Sequence, residues 1–430
     1  MKKNKHIVLG ILIFVIFILC FWILSLSKNI SIIAVSNSDN SASSSSVSHE
    51  IVNQTTIDNQ ILNESSTPLQ SQLPNPPSII KGIYLTGWTA GSPAFVEKLI
   101  NFMKGTELNA VVIDIKDYSG YVSYPMDIPD VISSGAEKEI RIAHINALIK
   151  EFHDNGIYVI GRITDFQDPI LAKAHPEWAL KNKKTGAVWK DNNGLSWIDP
   201  AAKPAWNYLA SIAQDAFSRG FDEVNFDYIR FASDGSLGNI VYPYWDQKTP
   251  MATVIEGYFQ FLRNTFSGKR ISADLFGLST VDDSGLGIGQ VIQDAYKYFD
   301  YVCPMVYPSH YASGFIGYKN PAEHPYDVIY YSLTHALGKI LSLGNYKTTV
   351  ASATVTNFDI NKVPNTKLRP WLQDFDMGAT YTSQMIRQEK QAVYDSLDTA
   401  SSSKYYGGWL YWNAANTYFT NSTEDSLDKN

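Results

Sequence analysis

Ile142-Ala143-His144-Ile145-Asn146-Ala147-Leu148-Ile149-Lys150-Glu151-Phe152-His153-Asp154-Asn155-Gly156-Ile157-Tyr158-Val159-Ile160 holds a helix, a stop and a buried strand in one run. Ile142, Ile145, Leu148, Ile149 and Phe152 recur at helical spacing, and Asn155-Gly156 ends the helix. Ile157 to Ile160 is then a continuous apolar stretch of strand length. The same unit repeats on both sides. Upstream lie strands Ile79–Leu85 and Ala110–Ile115, with a helix between them that starts at Ser92-Pro93 and stops at Gly105. Downstream come a helix on Trp206, Leu209, Ile212, Ala213, Ala216 and Phe217 that stops at Gly220, and a strand Glu223–Asp227. Further strands are expected at Ile271–Leu275, Tyr301–Tyr307, Leu368–Leu372 and Gly408–Trp412. Helices are expected near 251–266, 288–298, from Tyr326, and near 383–398. Eight apolar strands alternating with helices predict a parallel α/β protein, closed as a (β/α)8 TIM barrel over residues 79–420. No G-x-G-x-x-G follows strand one, which removes the main support for a dinucleotide fold. The segment 341–366 fits the repeat poorly, and Thr348–Val355 reads as an extra strand.

The chain of 430 residues is 45% hydrophobic, which excludes a wholly disordered protein. Thirty-five Lys+Arg against 42 Asp+Glu give a net charge of −7, which argues against nucleic-acid binding by charge. Residues 1–78 hold four Lys and four Asp+Glu, so the whole negative balance lies in residues 79–430. Ile7–Leu26 is an uncharged apolar stretch of 20 residues. As a helix it spans about 30 Å, a bilayer's hydrocarbon thickness. Lys2, Lys3 and Lys5 keep residues 1–6 in the cytoplasm, so 7–26 reads as a single-pass signal-anchor with the rest outside the cell. The alternative is a cleaved signal peptide ending at Ala34-Val35-Ser36, which would release the chain. Residues 27–78, rich in Ser, Asn and Pro, read as a disordered linker with a reach of roughly 40 Å, and 421–430 as a polar tail. Two cysteines, Cys20 in the anchor and Cys303 in a strand, staple nothing.

Barrel enzymes gather their chemistry where strands end. Those positions read Trp88, then Asp114/Lys116/Asp117, Arg162/Asp165, Asp227/Arg230, Asp274, Tyr307/His310, Asp374 and Trp412/Asn413. An unpaired carboxylate in a packed interior costs several kcal/mol. Such a ring of acids therefore reads as a ligand site, with salt bridges to Lys116, Arg162 and Arg230 as the structural alternative for some members. Strand four carries Asn225 and Asp227 on one face, pointing toward the barrel mouth. The frame Asp222, Asn225, Asp227, Ile229 resembles the chitinase D-x-x-D-x-D-x-E, with Ile229 in the place of the catalytic acid. Met305-Val306-Tyr307 matches the chitinase M-x-Y. The α-amylase plan places acids on strands four, five and seven, here Asp227, Asp274 and Asp374. Position 274 is Asp rather than Glu, and no Arg stands two residues before Asp227. Glycosidic hydrolysis needs one carboxyl to protonate the leaving oxygen and one to attack or to activate water. Asp227 is expected as nucleophile or base and Asp274 as acid, with Asp374 holding ring hydroxyls.

The 26 Tyr, 20 Phe and 10 Trp split into two sets. Phe95, Phe102, Phe152 and Phe217 sit at core spacing on helices. Trp88, Tyr118, Trp189, Trp197, Tyr244, Tyr307, Trp371 and Trp412 are among those at strand ends or in loops, where rings stack on sugars or anchor loops. The expected substrate-binding residues are Trp88, Asp114, Lys116, Asp117, Asn225, Arg230, Tyr307, His310, Trp371, Asp374, Trp412 and Asn413. His310 has no second His or Cys at metal spacing, so no metal and no cofactor is expected. Gly285-Leu286-Gly287-Ile288-Gly289 lacks the Lys-Ser/Thr of a phosphate loop.

Gly82–Thr86, Asn109–Asp117, Phe226–Phe231, Ser272–Gly277, Pro304–Tyr311, Arg369–Phe375 and Gly408–Asn413, in that order, resemble the glycoside hydrolase domain family of bacterial surface proteins. The resemblance covers roughly residues 80–415. It implies a (β/α)8 barrel and hydrolysis of a polysaccharide or oligosaccharide, in a family whose chemistry is itself inferred. The expected function is a membrane-tethered hydrolase of cell-wall or environmental polysaccharide. The alternative is a catalytically silent barrel that binds glycan as a surface or wall-associated module.

Overall fold

The computed structural model describes residues 67–350, 353–418 and 422–423. The cytoplasmic residues 1–6, the expected anchor 7–26 and the linker as far as residue 66 lie outside them, as do 421 and 424–430 of the tail. Among the described residues, no helix is long and apolar enough to cross a membrane.

The eight-fold alternation is present. The barrel strands are β1 (Ile80–Leu85), β2 (Ala110–Lys116), β3 (Tyr158–Thr164), β4 (Glu223–Asp227), β5 (Ile271–Phe276), β6 (Tyr301–Met305), a divided β7 (Lys367–Leu368 and Trp371–Gln373) and β8 (Gly408–Trp412). All pairings between them are parallel, and β8 closes on β1 through Ile80↔Gly408 to Ile83↔Tyr411. Helices between the strands include α1 (Pro93–Lys104), α2 (Ile145–Asp154), α3 (Lys203–Arg219), α4 (Met251–Thr265), the short α5 (Ile292–Ala295), α6 (Pro325–Ser342) and α7 (Ser383–Leu397). Gly220 ends α3 at φ 104°, a left-handed conformation that costs glycine nothing.

Three expectations need correction. Strand seven is not continuous, because Pro370 has no N–H to give to the ladder and splits it. The helix expected at 288–298 shrinks to four residues, since Gly285, Gly287 and Gly289 all adopt positive φ ahead of it. The linker does not run to residue 78. Leu73 N–H donates to Asp222 Oδ1 at 2.7 Å, Gln72 Nε2 donates to Phe221 O at 2.9 Å, and Leu73 packs against the inner core. The apolar side chain and the buried acceptors of Asp222 draw residues from about 69 onward onto the N-terminal end of the barrel. The odd segment 341–366 is a hairpin of Asn345–Val350 against Ala353–Phe358.

Two apolar layers follow from strand alternation. Outward residues such as Val111, Ile113, Val159 and Trp409 pack with the helices, whereas Ile80, Val112, Tyr158, Ile160, Cys303 and Leu410 point inward. The interior also holds an ion pair with no exposure on either side. Arg369 Nη1 donates to Glu223 Oε2 at 3.1 Å and Nη2 to Oε1, while Ser272 Oγ donates to Oε1 at 2.5 Å. Arg369→Met strands a buried glutamate and is expected to cost about 3–5 kcal/mol in denaturant unfolding, whereas Glu223→Gln with Arg369→Met recovers most of it.

Candidate functional site

The C-terminal ends of β2, β3, β4 and β5 converge on one guanidinium. Arg162, on β3, donates through Nη1 to Asp114 Oδ1 at 2.5 Å and through Nη2 to Asp227 Oδ2. Its Nε lies 3.7 Å from Asp274 Oδ2. The guanidinium carbon is 5.1 Å from the Trp412 ring and 5.8 Å from that of Tyr84, and these two rings stack with centroids 4.0 Å apart. Tyr84 O–H donates to Asp114 Oδ2 at 2.5 Å. The inward parity of Asn225 and Asp227 on β4 and of Ser272 and Asp274 on β5 brings these groups together.

The three carboxyls differ in their donors. Asp227 accepts from Arg162 on one oxygen and from the Tyr228 backbone N–H at 2.5 Å on the other. Asp274 Oδ1 accepts from Asn225 Nδ2 and Trp371 Nε1, each at 2.8 Å, both neutral donors. Burial, reinforced by the charge of Asp227, holds the Asp274 carboxyl well above the usual carboxylate range. With Oδ1 accepting twice, its proton belongs on Oδ2, the oxygen that faces the cluster. Burial also pushes Asp114 up to about 6 against the pull of Arg162. The site thus sets a carboxyl that takes a charged donor and a backbone N–H against one held above the usual carboxylate range, across one cation.

Other expected residues are distributed around this cluster. Trp371 and Trp412 meet edge to face at 5.6 Å and belong to it. Tyr307 and His310 lie against Phe375, and burial pulls the His310 imidazole down to about 4, which keeps it neutral. Trp88 is 62% exposed on the rim, with the Arg141 guanidinium over its ring, and Arg141 also pairs with Asp117. Lys116 is sealed away from the mouth, bound to Asp168 at 2.9 Å and to Thr164 O at 2.5 Å, because the register shifts between Asp114 and Lys116. Asp374 is fully buried and acts through space on Glu389, Tyr411 and Tyr418, behind the barrel wall. Asn413 Nδ2 bonds the carbonyls of Asp374 and Thr417 and shapes a loop. Neither Asp374 nor Asn413 joins the Arg162 cluster. Ile229, in the place of the chitinase acid, is buried. Of the loop aromatics, Trp189, Trp197 and Trp371 are buried, while Tyr244 is exposed. Tyr84 and the central role of Arg162 are not expected from the sequence.

Comparison with known proteins follows the same line. A hypothetical protein from Ruminiclostridium thermocellum is 39% identical over 45% of this chain and 96% of its own, with a TM-score of 0.41. The PgaB (BpsB) glycoside hydrolase domain of Bordetella bronchiseptica is 12% identical over 78% of this chain and 94% of its own, with a TM-score of 0.52, and shares the fold. An α-galactosidase from Thermus thermophilus, solved with stachyose, is 10% identical over 84% of this chain and 66% of its own, with a TM-score of 0.44. No curated protein matches the chain. The profile of one family spans residues 82–418, nearly the whole barrel, and the chain belongs to that family, described as "Putative glycosyl hydrolase domain".

Proposed function

We propose that this chain is a membrane-tethered glycoside hydrolase that cleaves O-glycosidic bonds in a cell-wall or environmental polysaccharide. Asp274 protonates the leaving oxygen, and Asp227 attacks the anomeric carbon or activates water. The observation that carries this reading is the contrast between the two carboxyls around Arg162. One takes a cationic donor and a backbone N–H, and the other takes two neutral donors, is buried, and retains its proton. An acid that keeps its proton beside a second carboxyl is what acid-assisted glycoside cleavage requires. Trp412, partly exposed at the mouth, and the exposed Trp88 offer apolar faces to sugar rings.

A second reading, a silent glycan-binding barrel, draws on the almost complete burial of Asp274. Reducing-end release from wall polysaccharides separates the two. Asp227→Asn and Asp274→Asn are each expected to lower kcat at least about a hundred-fold, and binding without turnover in the unsubstituted chain sinks the enzyme reading.

The pH profile supplies an independent check. Asp274 works protonated, so the rate falls as pH rises through its raised pKa. Trp371→Phe removes a donor that favours the charged form, so it raises that pKa further and moves the alkaline limb to higher pH. An unmoved limb rules Asp274 out as the acid.

The tether predicts that the full chain sediments with membranes and that protease added outside intact cells removes the barrel. Recovery in the medium instead favours a cleaved leader.

A further inference from the structure

Four arginines have largely buried side chains close to the barrel interior or its mouth, and three of them have a carboxylate. Arg162 meets Asp114 and Asp227, Arg369 meets Glu223, and Arg141 meets Asp117. Arg230 is the exception. It is 7% exposed and forms no ion pair among the described residues. Its Nη1 donates to Phe231 O at 3.1 Å and to Ser233 Oγ at 3.0 Å. Its Nε and Nη2 make no hydrogen bond among the described residues, and they are not sealed in as the Nε atoms of Arg162 and Arg369 are.

The position is close to the chemistry. Arg230 follows Asp227 by three residues, and its guanidinium carbon lies 4.9 Å from the ring of Phe276, two residues after Asp274. Trp197 at 4.6 Å and Tyr228 at 5.1 Å complete an aromatic seat that fixes the guanidinium plane. Gln290 ties the two loops together, donating to Ile229 O and accepting from Phe276 N–H. The carboxylates that act on Arg230 through space are Asp227, Asp234 and Asp191. Asp227 is bound to Arg162, Asp191 is occupied by Asn193 N–H, Leu195 N–H and Trp197 Nε1, and Asp234 accepts from the Asn192 backbone N–H without pairing with Arg230. A desolvated cation without a bound counter-ion is costly, and the open Nε–Nη2 edge matches the two oxygens of a planar anion.

We propose that Arg230 receives an anionic substituent of the glycan, a sugar carboxylate held side-on by its Nε–Nη2 edge, so that the substrate is an acidic polysaccharide. This rests on the reading of the barrel mouth as a glycan-cleaving site. The net charge of −7 slows a polyanion's approach at long range, but a short bidentate contact decides what stays bound.

Calorimetric titration of the detergent-solubilised full chain tests it with three probes. These are oligogalacturonate, its carboxyl-reduced neutral counterpart, and a glycerol-phosphate oligomer. Oligogalacturonate is expected to bind roughly ten- to a hundred-fold tighter than the neutral form. Arg230→Gln should erase that preference, and Arg230→Lys should keep only part of it, with thermal melts confirming the fold of both. A preference for the glycerol-phosphate oligomer that Arg230→Gln erases supports the anion site and names phosphate as its source. Equal binding of acidic and neutral probes, a preference that survives Arg230→Gln, or no binding of either anionic probe overturns the proposal. Turnover is scored separately. Cleavage of neutral glycan without acidic preference overturns only this inference, and tight acidic binding without cleavage overturns only the hydrolase reading.

Discussion

A guanidinium inside a barrel is tolerable only if acceptors surround it, and the placement of Arg162 sets the terms for the site. Removing a cation from water costs several kcal/mol unless charge and hydrogen bonds replace the lost hydration. Three strands each contribute an aspartate for that purpose, and the stacked Tyr84–Trp412 pair lies beside the guanidinium. One cation cannot neutralise three buried anions, so a proton must remain on the cluster. It remains where the fewest charged donors reach. Asp114 and Asp227 touch Arg162 directly, while Asp274 stands off at 3.7 Å and relies on an amide and an indole. The different settings of Asp227 and Asp274 thus follow from how one arginine is satisfied.

The polar groups beneath the cluster extend this logic down the barrel axis. Asn225 Nδ2 bonds both Asp274 Oδ1 and Ser272 Oγ, and Ser272 Oγ donates to Glu223, which Arg369 holds. Strand alternation alone puts Glu223, Asn225 and Asp227 on one face and Ser272 and Asp274 on the neighbouring one. The inner apolar residues, from Ile80 to Leu410, fill the space around this column, and Leu73 packs against them. Such a network specifies one arrangement because each half-satisfied member would be expensive. Rotating Asp274 away from Asn225, for instance, would leave one of the two buried Asn225 Nδ2 N–H groups without an acceptor.

The strand-helix repeat was legible because periodicity is local: β8 falls at Gly408–Trp412 as its pattern implies. Parity likewise marks Asn225 and Asp227 as inward, and the end of strand five marks Asp274. Arg162 read only as a rim partner, since its role depends on three strands that the sequence does not place side by side. Lys116 and Asp374 were misleading for different reasons. A strand-end position says nothing about a bulge, which turns Lys116 toward Asp168. Asp374 stands three residues after Trp371, whose ring the structure places inward, and alternation from there turns Asp374 outward. Leu73 was lost in a stretch whose composition resembles a tether, because one apolar side chain leaves no periodicity.

Backbone strain beside the nucleophile candidate shows how firmly the mouth is built. Tyr228 adopts φ 55°, a left-handed conformation that costs a bulky residue about 1–3 kcal/mol. That turn aims its N–H at Asp227 Oδ1, and Arg230 N–H closes onto Tyr228 O at 2.9 Å. Relaxing Tyr228 would withdraw a donor from Asp227 and shift Arg230 off its aromatic seat. The strain is opposed from the next loop, where Gln290 spans Ile229 and Phe276 and Phe231 N–H bonds Ile288 O. The end of β4 and the turn after it therefore deliver Asp227, Tyr228 and Arg230 as one unit, and the segment after β5 that carries Ile288 and Gln290 fixes that unit against Asp274.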